Sequence, residues 1–309
     1  MGLTREILLR ASRSEWLAAQ LTRRKFTQRA VRRFLPGEDL ESALDAAGAL
    51  RVHGIPTILT LLGEHVKQEE EAEGVTRHFL ETLDRITERG YDSDLSVKPT
   101  HFGIEVDVEG TCARIKRLVE AADGLGRTVA IDMEDSPFVD DTLDIYRRIR
   151  AEHRNVAVCI QGYLFRTAAD IESLLPLGPT IRLVKGAYTE PRDVACRGKR
   201  ALDAAFLEHT DTLLGRLADG SDLRVFFGTH DPRMIDGIQE RADRLGLPKD
   251  AFEIQMLYGI QRGLQLQLAE QGYRVRVLIS YGEEWFPWYV RRLAERPANV
   301  FLLLRNLLG

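Results

Sequence analysis

Seven of the short apolar runs in this 309-residue chain carry or end in polar side chains that could bind or react with a ligand. In chain order these side chains are Glu64, Lys98, Asp132, Gln161, Arg182, Lys185, Thr229, His230 and Gln255. Three of them are cations, and two adjacent arginines, Arg291 and Arg292, follow near the end of the chain. Adjacent residues lie about 100° apart on a helix, so both guanidinium groups can face one side and hold a carboxylate through paired hydrogen bonds. The pattern therefore predicts a site for a small anion.

Two other chemistries use residues of the same kinds. A metal-dependent hydrolase needs a cluster of ligands, but His230 is the one histidine of seven expected at a strand end, and His230-Asp231 is poor ligand spacing. The sequence therefore predicts no metal site. A Schiff-base lyase or aldolase would use a lysine at a strand end as its nucleophile, and either Lys98 or Lys185 could serve. That alternative stays open, although it gives the paired arginines no role.

These polar residues would meet at one end of the molecule if strands and helices alternate along the chain. Eight apolar or β-branched runs follow Gly54, at residues 55–62, 95–98, 128–133, 156–161, 180–185, 223–230, 252–257 and 275–280. Helical patterns are clearest at residues 75–88, 112–122, 141–150, 201–217 and 234–245, and another begins at Trp285. Eight strand–helix repeats predict a TIM-like (β/α)8 barrel, an α/β fold with its active site at the carboxyl ends of the strands. A doubly wound sheet is the competing interpretation, but no GxGxxG motif follows an early strand.

The chain before residue 54 has the pattern of helices that pack on the barrel. Apolar residues recur at helical spacing between Trp16 and Leu21 and again between Leu40 and Leu50. We therefore expect an N-terminal helical extension over residues 1–53 and a catalytic barrel over residues 54–309. The acidic run Glu69-Glu70-Glu71 is expected to be the solvated start of a helix.

Composition and charge narrow the class of protein and its partners. The chain has 43 Lys and Arg against 47 Asp and Glu, and the net charge of −4 disfavours nucleic acid as a partner. Its three widely spaced cysteines support neither a disulfide framework nor structural zinc and suit a reducing cytoplasm. The sequence has no secretory signal, and no apolar run approaches the ~20 residues that cross a bilayer. We therefore expect a cytoplasmic protein whose contact with a membrane is at most peripheral, on its inner face.

Eight sequence blocks, one on each repeat, resemble the successive signatures of the FAD-dependent proline dehydrogenases. They are Leu61-Leu62-Gly63-Glu64, Ser96-Val97-Lys98, Ile131-Asp132-Met133-Glu134-Asp135, Gln161-Gly162-Tyr163-Leu164-Phe165-Arg166, Arg182-Leu183-Val184-Lys185-Gly186-Ala187-Tyr188, Thr229-His230-Asp231, Phe252-Glu253-Ile254-Gln255-Met256-Leu257-Tyr258-Gly259 and Arg291-Arg292-Leu293-Ala294-Glu295. The similarity spans residues 54–306. A single block would be weak evidence, but eight in the same order make the resemblance to this family specific. The length of the chain favours the monofunctional, bacterial type.

The resemblance implies a distorted (β/α)8 barrel that binds FAD noncovalently. It implies oxidation of L-proline to pyrroline-5-carboxylate by hydride transfer to the flavin, the first step of proline catabolism to glutamate. It also implies a quinone as electron acceptor, and it makes the dehydrogenase that consumes pyrroline-5-carboxylate a candidate partner. A dehydrogenase for hydroxyproline or another cyclic imino acid, on the same scaffold, is the alternative within this class.

The resemblance assigns roles to individual side chains. Arg182 is expected near flavin N5, and Gln161 at the isoalloxazine edge. The rest of the cofactor environment is expected to comprise Lys185, Gly186, Ala187, Thr229, His230 and Gln255. The substrate carboxylate is expected to be held by Lys98, Arg291 and Arg292, with Asp132, Tyr188 and Glu295 also at the substrate pocket and Glu64 as a gate that pairs with Arg291.

Two residues depart from the family pattern. Leu278 occupies the position of a tyrosine that contacts substrate, so Asp132 loses an expected hydrogen-bond partner. Trp288 replaces a second tyrosine, three residues before Arg291, and still offers an aromatic face to an apolar ring. The choice between proline and hydroxyproline therefore depends on these two positions.

Overall fold

The computed structural model of the chain describes residues 34–285. Its eight strands are β1 (Thr57–Leu61), β2 (Ser93–Val97), β3 (Val129–Ile131), β4 (Val156–Gln161), β5 (Thr180–Val184), β6 (Arg224–Gly228), β7 (Glu253–Leu257) and β8 (Arg274–Tyr281). All neighbours pair in parallel, and β8 pairs with β1 to close the barrel. Each strand falls within or overlaps one of the eight predicted runs, so the predicted (β/α)8 fold is confirmed.

The helices of this range are α1 (Leu40–Arg51), α2 (Glu69–Glu88), α3 (Val108–Asp123), α4 (Val139–Arg150), α5 (Thr167–Leu174), α6 (Lys199–Ala218), α7 (Pro232–Arg244) and α8 (Arg262–Glu270). Short 3-10 turns precede α4, at Ser136–Phe138, and follow α5, at Leu175–Leu177. Six of the helices match predicted ones, and the acidic run forms the first turn of α2 as expected. Helices α5 and α8 were not predicted, and they have only eight and nine residues.

Successive side chains of a strand point to opposite faces, so each strand has one face toward the helices and one toward the barrel interior. In β8, Val277, Ile279 and Tyr281 belong to the hydrophobic core that the helices share with the barrel. The residues that alternate with them, Arg276, Leu278 and Ser280, therefore face the barrel interior. Arg276 contacts Glu253 of β7 there. The same rule directs Asp94 and Ser96 of β2, Arg182 of β5 and Gln255 of β7 inward.

Helix α1 packs directly on the barrel. Its buried residues Ala43, Leu44 and Ala47 belong to the same hydrophobic core as the strands. The predicted stretch between Trp16 and Leu21 lies outside the described residues, and the division at residue 53 stays a prediction. In the part of the chain that the structure describes, no helix combines the length and the apolar character needed to span a membrane.

Candidate active site

Arg182 lies at the centre of a hydrogen-bonded cluster inside the barrel. Its guanidinium donates to the Asp132 carboxylate, and its Nη2 lies 3.0 Å from Ser96 Oγ. Ser96 in turn donates to Asp132 Oδ1 at 3.0 Å. On the other side, Nη1 of Arg182 lies 3.5 Å from Gln255 Oε1. Strands β2, β3, β5 and β7 thus contribute side chains to one cluster, as their predicted positions required.

The cluster keeps Arg182 charged although only 4% of its surface is exposed. Burial lowers the pKa of the guanidinium, but Asp132, Cys159 and Glu253 more than offset this, and the net direction is upward. Asp132 therefore has an arginine and a serine as partners where the family tyrosine is missing. A fixed, buried cation of this kind can stabilise negative charge that develops on a nearby group.

Lys98 and Glu64 come together beside this cluster, at the ends of β2 and β1. Lys98 Nζ lies 3.8 Å from Glu64 Oε1, and their side chains are 11% and 16% exposed. The pair places one of the predicted carboxylate-binding cations at the mouth of the barrel. The expected contact of Glu64 with Arg291 stays a prediction, because Arg291 lies outside the described residues.

Gln161, at the end of β4, connects the loops on either side of it. Its Nε2 donates to the Glu134 carbonyl at 2.9 Å, and its Oε1 accepts from the Ala187 backbone N–H at 3.2 Å. Gln161 is 1% exposed. Glu134 in turn accepts hydrogen bonds from both the backbone N–H and the hydroxyl of Thr100, at 2.8 and 2.7 Å. The Glu134 carboxylate thereby fixes the turn that begins at Lys98, a role that the sequence analysis missed.

The loop after β5 makes a close turn against Tyr163. Gly186 has φ of +120°, and a Cβ there would lie 2.2 Å from the Tyr163 ring, so this position requires glycine. The Tyr163 hydroxyl donates to the carbonyl of Tyr188 at 3.2 Å. These contacts fix the backbone of the three predicted residues Gly186, Ala187 and Tyr188.

Lys185 is the centre of a second charged cluster. Its Nζ donates to Asp203 of α6 and, at 3.1 Å, to Asp231 Oδ2 at the start of α7. Lys199 also pairs with both carboxylates. Burial raises the pKa of Asp231, but hydrogen bonds from Arg233 and Lys185 more than offset this and hold it well below its usual range. Lys185 therefore has a structural role, because its hydrogen bonds to two carboxylates tie the end of β5 to α6 and to the start of α7.

Thr229 and His230 lie between the two charged clusters, at the end of β6. The Thr229 hydroxyl accepts from the backbone N–H of Asp231 at 3.2 Å, and its own N–H donates to the Gln255 carbonyl at 3.1 Å. Thr229 is 8% exposed, whereas His230 is only partly buried. The structure thus brings these predicted residues to the same end of the barrel as Arg182 and Lys185.

A shallow cavity of about 520 Å³, largely open to solvent, lies beside the second cluster, at the start of α6. It is lined by Arg197, Gly198, Lys199, Arg200, Ala201 and Ala204. This cationic cavity was not predicted from the sequence. The basic run Arg197-Gly198-Lys199-Arg200, which follows the block at the end of β5, could have indicated it. The arrangement suits an extended anion such as a diphosphate.

Leu278 faces the barrel interior, as its predicted position at the pocket requires. It is opposite Ile58 of β1 and Leu257 of β7 in the strand register and is partly exposed. The other predicted residues of the last segment, namely Trp288, Arg291, Arg292 and Glu295, lie outside the described residues. Within residues 34–285, no three His, Cys, Asp or Glu side chains are grouped as metal ligands.

Comparison with known proteins identifies the family of this chain. The family model described as "Proline dehydrogenase" matches residues 43–302. Proline dehydrogenase 1 of Bacillus subtilis (strain 168) is 36% identical over 283 residues, which cover 91% of this chain and 92% of that protein. Proline dehydrogenase of Deinococcus radiodurans is 36% identical over 294 residues, which cover 94% of this chain and 93% of that protein.

Solved structures confirm the fold. Proline utilization A (PutA) from Bdellovibrio bacteriovorus, inactivated by N-propargylglycine, superimposes with a TM-score of 0.80 at 22% identity. The match covers 90% of this chain and 33% of PutA, so the chain corresponds to about a third of that protein. Together with the family match over most of its length, these relatives show that the chain belongs to the proline dehydrogenase family.

Proposed function

We propose that this chain oxidises L-proline to pyrroline-5-carboxylate with noncovalently bound FAD as the immediate acceptor. The observation that carries the proposal is the buried Arg182 cation, held by Asp132, Ser96 and Gln255 at the active-site end of the barrel. Family membership supports the same reaction, since the curated relatives are named proline dehydrogenases. When bound, FAD supplies the two-electron acceptor for the hydride that leaves the proline ring.

The donor set of the site fits FAD. Isoalloxazine presents acceptor oxygens and nitrogens along one edge, and the buried cation of Arg182 is suited to the negative charge of its reduced form. The diphosphate of FAD is an extended dianion, and the cavity at the start of α6 offers Arg197 and Arg200 to it. We assign the rest of the flavin environment to Gln161, Lys185, Gly186, Ala187, Thr229, His230 and Gln255.

The substrate is a zwitterion whose carboxylate can orient the ring. We assign the carboxylate to Lys98 together with Arg291 and Arg292, which are predicted to complete the clamp from the last helix. The pocket around the ring is assigned to Asp132, Tyr188, Leu278, Trp288 and Glu295, with Glu64 as the gate. Since hydride transfer requires the donor and acceptor atoms within roughly 3–3.5 Å, orientation is the main catalytic contribution of these side chains.

The wider context of the reaction is part of the same proposal. We infer that the electrons pass to a membrane quinone, which requires peripheral contact with the inner face of the membrane by a cytoplasmic protein. The product is an imine that a second dehydrogenase can oxidise after hydrolysis, so the enzyme that consumes pyrroline-5-carboxylate is the expected partner. These inferences follow from the family resemblance and the chemistry of the product.

Hydroxyproline is the second candidate substrate, and Leu278 is the observation that favours it. A leucine occupies less space than the tyrosine that the family pattern expects, and Leu278 faces the interior with part of its surface exposed. A hydroxylated ring could enter that space, although its hydroxyl would meet an aliphatic side chain. We therefore expect proline to be preferred.

The experiment is a spectroscopic and kinetic assay of the purified chain. We expect about one FAD per chain and anaerobic bleaching of its absorbance at about 450 nm by L-proline. Turnover should then be measured with L-proline, cis- and trans-4-hydroxyproline and pipecolate, with an artificial electron acceptor and with a soluble quinone. A folded, colourless protein that cannot be reconstituted with FAD would refute the proposal, and an amine-dependent aldol cleavage would favour the lyase alternative.

A further inference from the structure

Charged side chains fill the barrel interior beneath Arg182, toward the amino ends of the strands. Arg276 Nε of β8 lies 3.1 Å from both carboxylate oxygens of Glu253 of β7. Arg276 Nη1 also lies 3.3 Å from Asp94 Oδ2 of β2. Branched apolar residues usually dominate this position in such barrels, and they often stabilise a fold as well as buried ion pairs do. The presence of charges here therefore indicates a role beyond stability.

Gln255 connects this buried ion pair to Arg182. Its Nε2 donates to Glu253 Oε1 at 2.7 Å, while its Oε1 lies 3.5 Å from Arg182 Nη1. An ionised carboxylate only accepts hydrogen bonds, so the amide nitrogen must face Glu253 and the amide oxygen must face Arg182. In the reverse orientation, two donors would meet at Arg182 and two acceptors at Glu253. Glu253 therefore determines which atom Gln255 presents to the guanidinium.

We propose that Glu253 is a positioning residue for Arg182, which it controls by fixing the amide of Gln255. Asp132 and Ser96 hold the Nη2 side of the guanidinium, and Gln255 holds the Nη1 side. Without the amide oxygen, the Nη1 side of the guanidinium would also be free to turn toward Asp132. The Asp132 carboxylate would then neutralise more of the charge of Arg182. This inference rests on the proposed function, because its consequence is weaker stabilisation of reduced FAD.

The test compares variants that separate orientation from charge. The double variant Glu253→Met/Arg276→Met removes both partners of the Glu253–Arg276 pair, which a buried site tolerates better than the loss of one partner. Asp94, which also pairs with Arg276, keeps its hydrogen bond from the Thr128 backbone N–H. Glu253→Gln removes the charge but keeps an oxygen that can accept from Gln255. Asp94→Asn is the matched control, because it removes a buried carboxylate that pairs with Arg276 but does not contact Gln255. Each holoenzyme is measured for its flavin midpoint potential and for kcat and KM with L-proline.

The ratio of the affinity for reduced FAD to the affinity for oxidised FAD should be about tenfold lower in the double variant than in the wild type. That change corresponds to a midpoint potential lower by about 30 mV for a two-electron couple. Its kcat should fall about tenfold with little change in KM. Glu253→Gln and Asp94→Asn should not lower the potential. A wild-type potential in the folded double variant, or an equal decrease in Asp94→Asn or Glu253→Gln, would overturn the proposal.

If the double variant does not fold, Gln255→Met provides a second test, because it removes the amide that links Glu253 to Arg182. The rate of FAD dissociation is measured separately in this variant. An unchanged midpoint potential in that variant would also overturn the proposal. Failure of the proposed function would be recognised beforehand, because the wild-type protein would then lack FAD or fail to oxidise proline.

Discussion

Arg182 and Asp132 contact each other across the barrel interior, from β5 and β3, and the Ser96 hydroxyl bridges them from β2. The arrangement uses both hydrogen-bonding roles of the serine, since Ser96 Oγ accepts from the guanidinium and donates to the carboxylate. These contacts hold the Nη2 side of the guanidinium, and Gln255 contacts its Nη1 side.

We predict that Ser96→Ala impairs catalysis as well as stability. Hydrogen bonds to charged groups typically contribute about 1.5–3 kcal/mol each, so the free energy of unfolding should fall by about 2 kcal/mol. The misplaced Arg182 should lower kcat/KM for proline by about tenfold. Both quantities can be measured on the FAD-loaded protein.

Ser93→Ala is the control for this prediction. Ser93 is a fully buried serine at the other end of β2, where its hydroxyl lies 2.5 Å from that of Thr57. Its loss should reduce stability by about 1 kcal/mol and leave kcat/KM unchanged. Equal losses of activity in the two variants would show that the effect of Ser96→Ala is only structural.

Glu134 should make folding stability fall as the pH rises. Burial raises the pKa of its carboxyl from 4.5 to about 7, although the hydrogen bonds from Thr100 oppose this. Between these two values the folded protein retains a proton that the unfolded chain has lost. The stability contribution of this group is therefore complete below the unfolded pKa and is lost as the pH rises through the folded pKa, by up to about 3 kcal/mol.

Glu134→Gln should remove this pH dependence, because its amide can still accept from the Thr100 N–H and donate to the Thr100 hydroxyl. We expect the variant to gain stability relative to wild type between about pH 5 and pH 8 in urea unfolding experiments. Glu270→Gln, at an exposed glutamate of α8, should show no such gain. An equal pH dependence in wild type and Glu134→Gln would contradict the assignment.

Arg291→Met and Arg292→Met should weaken substrate capture far more than FAD retention. The loss of a desolvated arginine–carboxylate pair typically costs about 2–5 kcal/mol, so kcat/KM should decrease by about 30-fold or more. Arg244→Met, at an exposed arginine of α7, is the control and should change neither quantity. Wild-type kcat/KM in both test variants would mean that the arginine pair is an ordinary surface feature.

Leu278→Tyr should sharpen the preference for proline over 4-hydroxyproline. The wild-type wall is aliphatic at this point, and we expect it to discriminate between the two substrates by only about 1–3 kcal/mol. By the proposed assignment of the pocket, a tyrosine would refill space near Asp132 and supply a hydroxyl to it. Ratios of kcat/KM for the two substrates measure the effect, with Leu278→Met as a control of similar volume. If Leu278→Tyr retained hydroxyproline turnover but lost proline turnover, the substrate assignment would be wrong.

The barrel was predictable because its signal is repeated. Runs such as 156–161 and 180–185 combine β-branched residues with a polar residue at the end, and both became strands with nearly the predicted bounds. The two missed helices, α5 and α8, have only eight and nine residues, which is too short to repeat a helical period clearly. Local pattern therefore predicts the strands better than it predicts the helices that connect them.

The candidate site was predictable in its positions but not in its pairings. The end of each strand indicates which side chains share the mouth, so Arg182 and Asp132 could be placed near each other. Their direct contact depends on the tilt and register of strands far apart in sequence, which no local pattern records. The bridging role of Ser96 and the contact between Glu134 and Thr100 were missed for the same reason.

Closure of the barrel has a consequence for the order of folding. The pairing of β8 with β1 joins distant parts of the chain, as shown by Arg276 and Thr57, which are hydrogen-bonded although 219 positions apart. Trp285 Nε1 also donates to Glu38 Oε1, 247 positions away, just outside the paired strands. The entropy lost on closing a loop grows with its length, and contacts of high sequence separation slow folding. Strands that follow one another can pair early, so the pairing of β8 with β1 should form last and limit the folding rate.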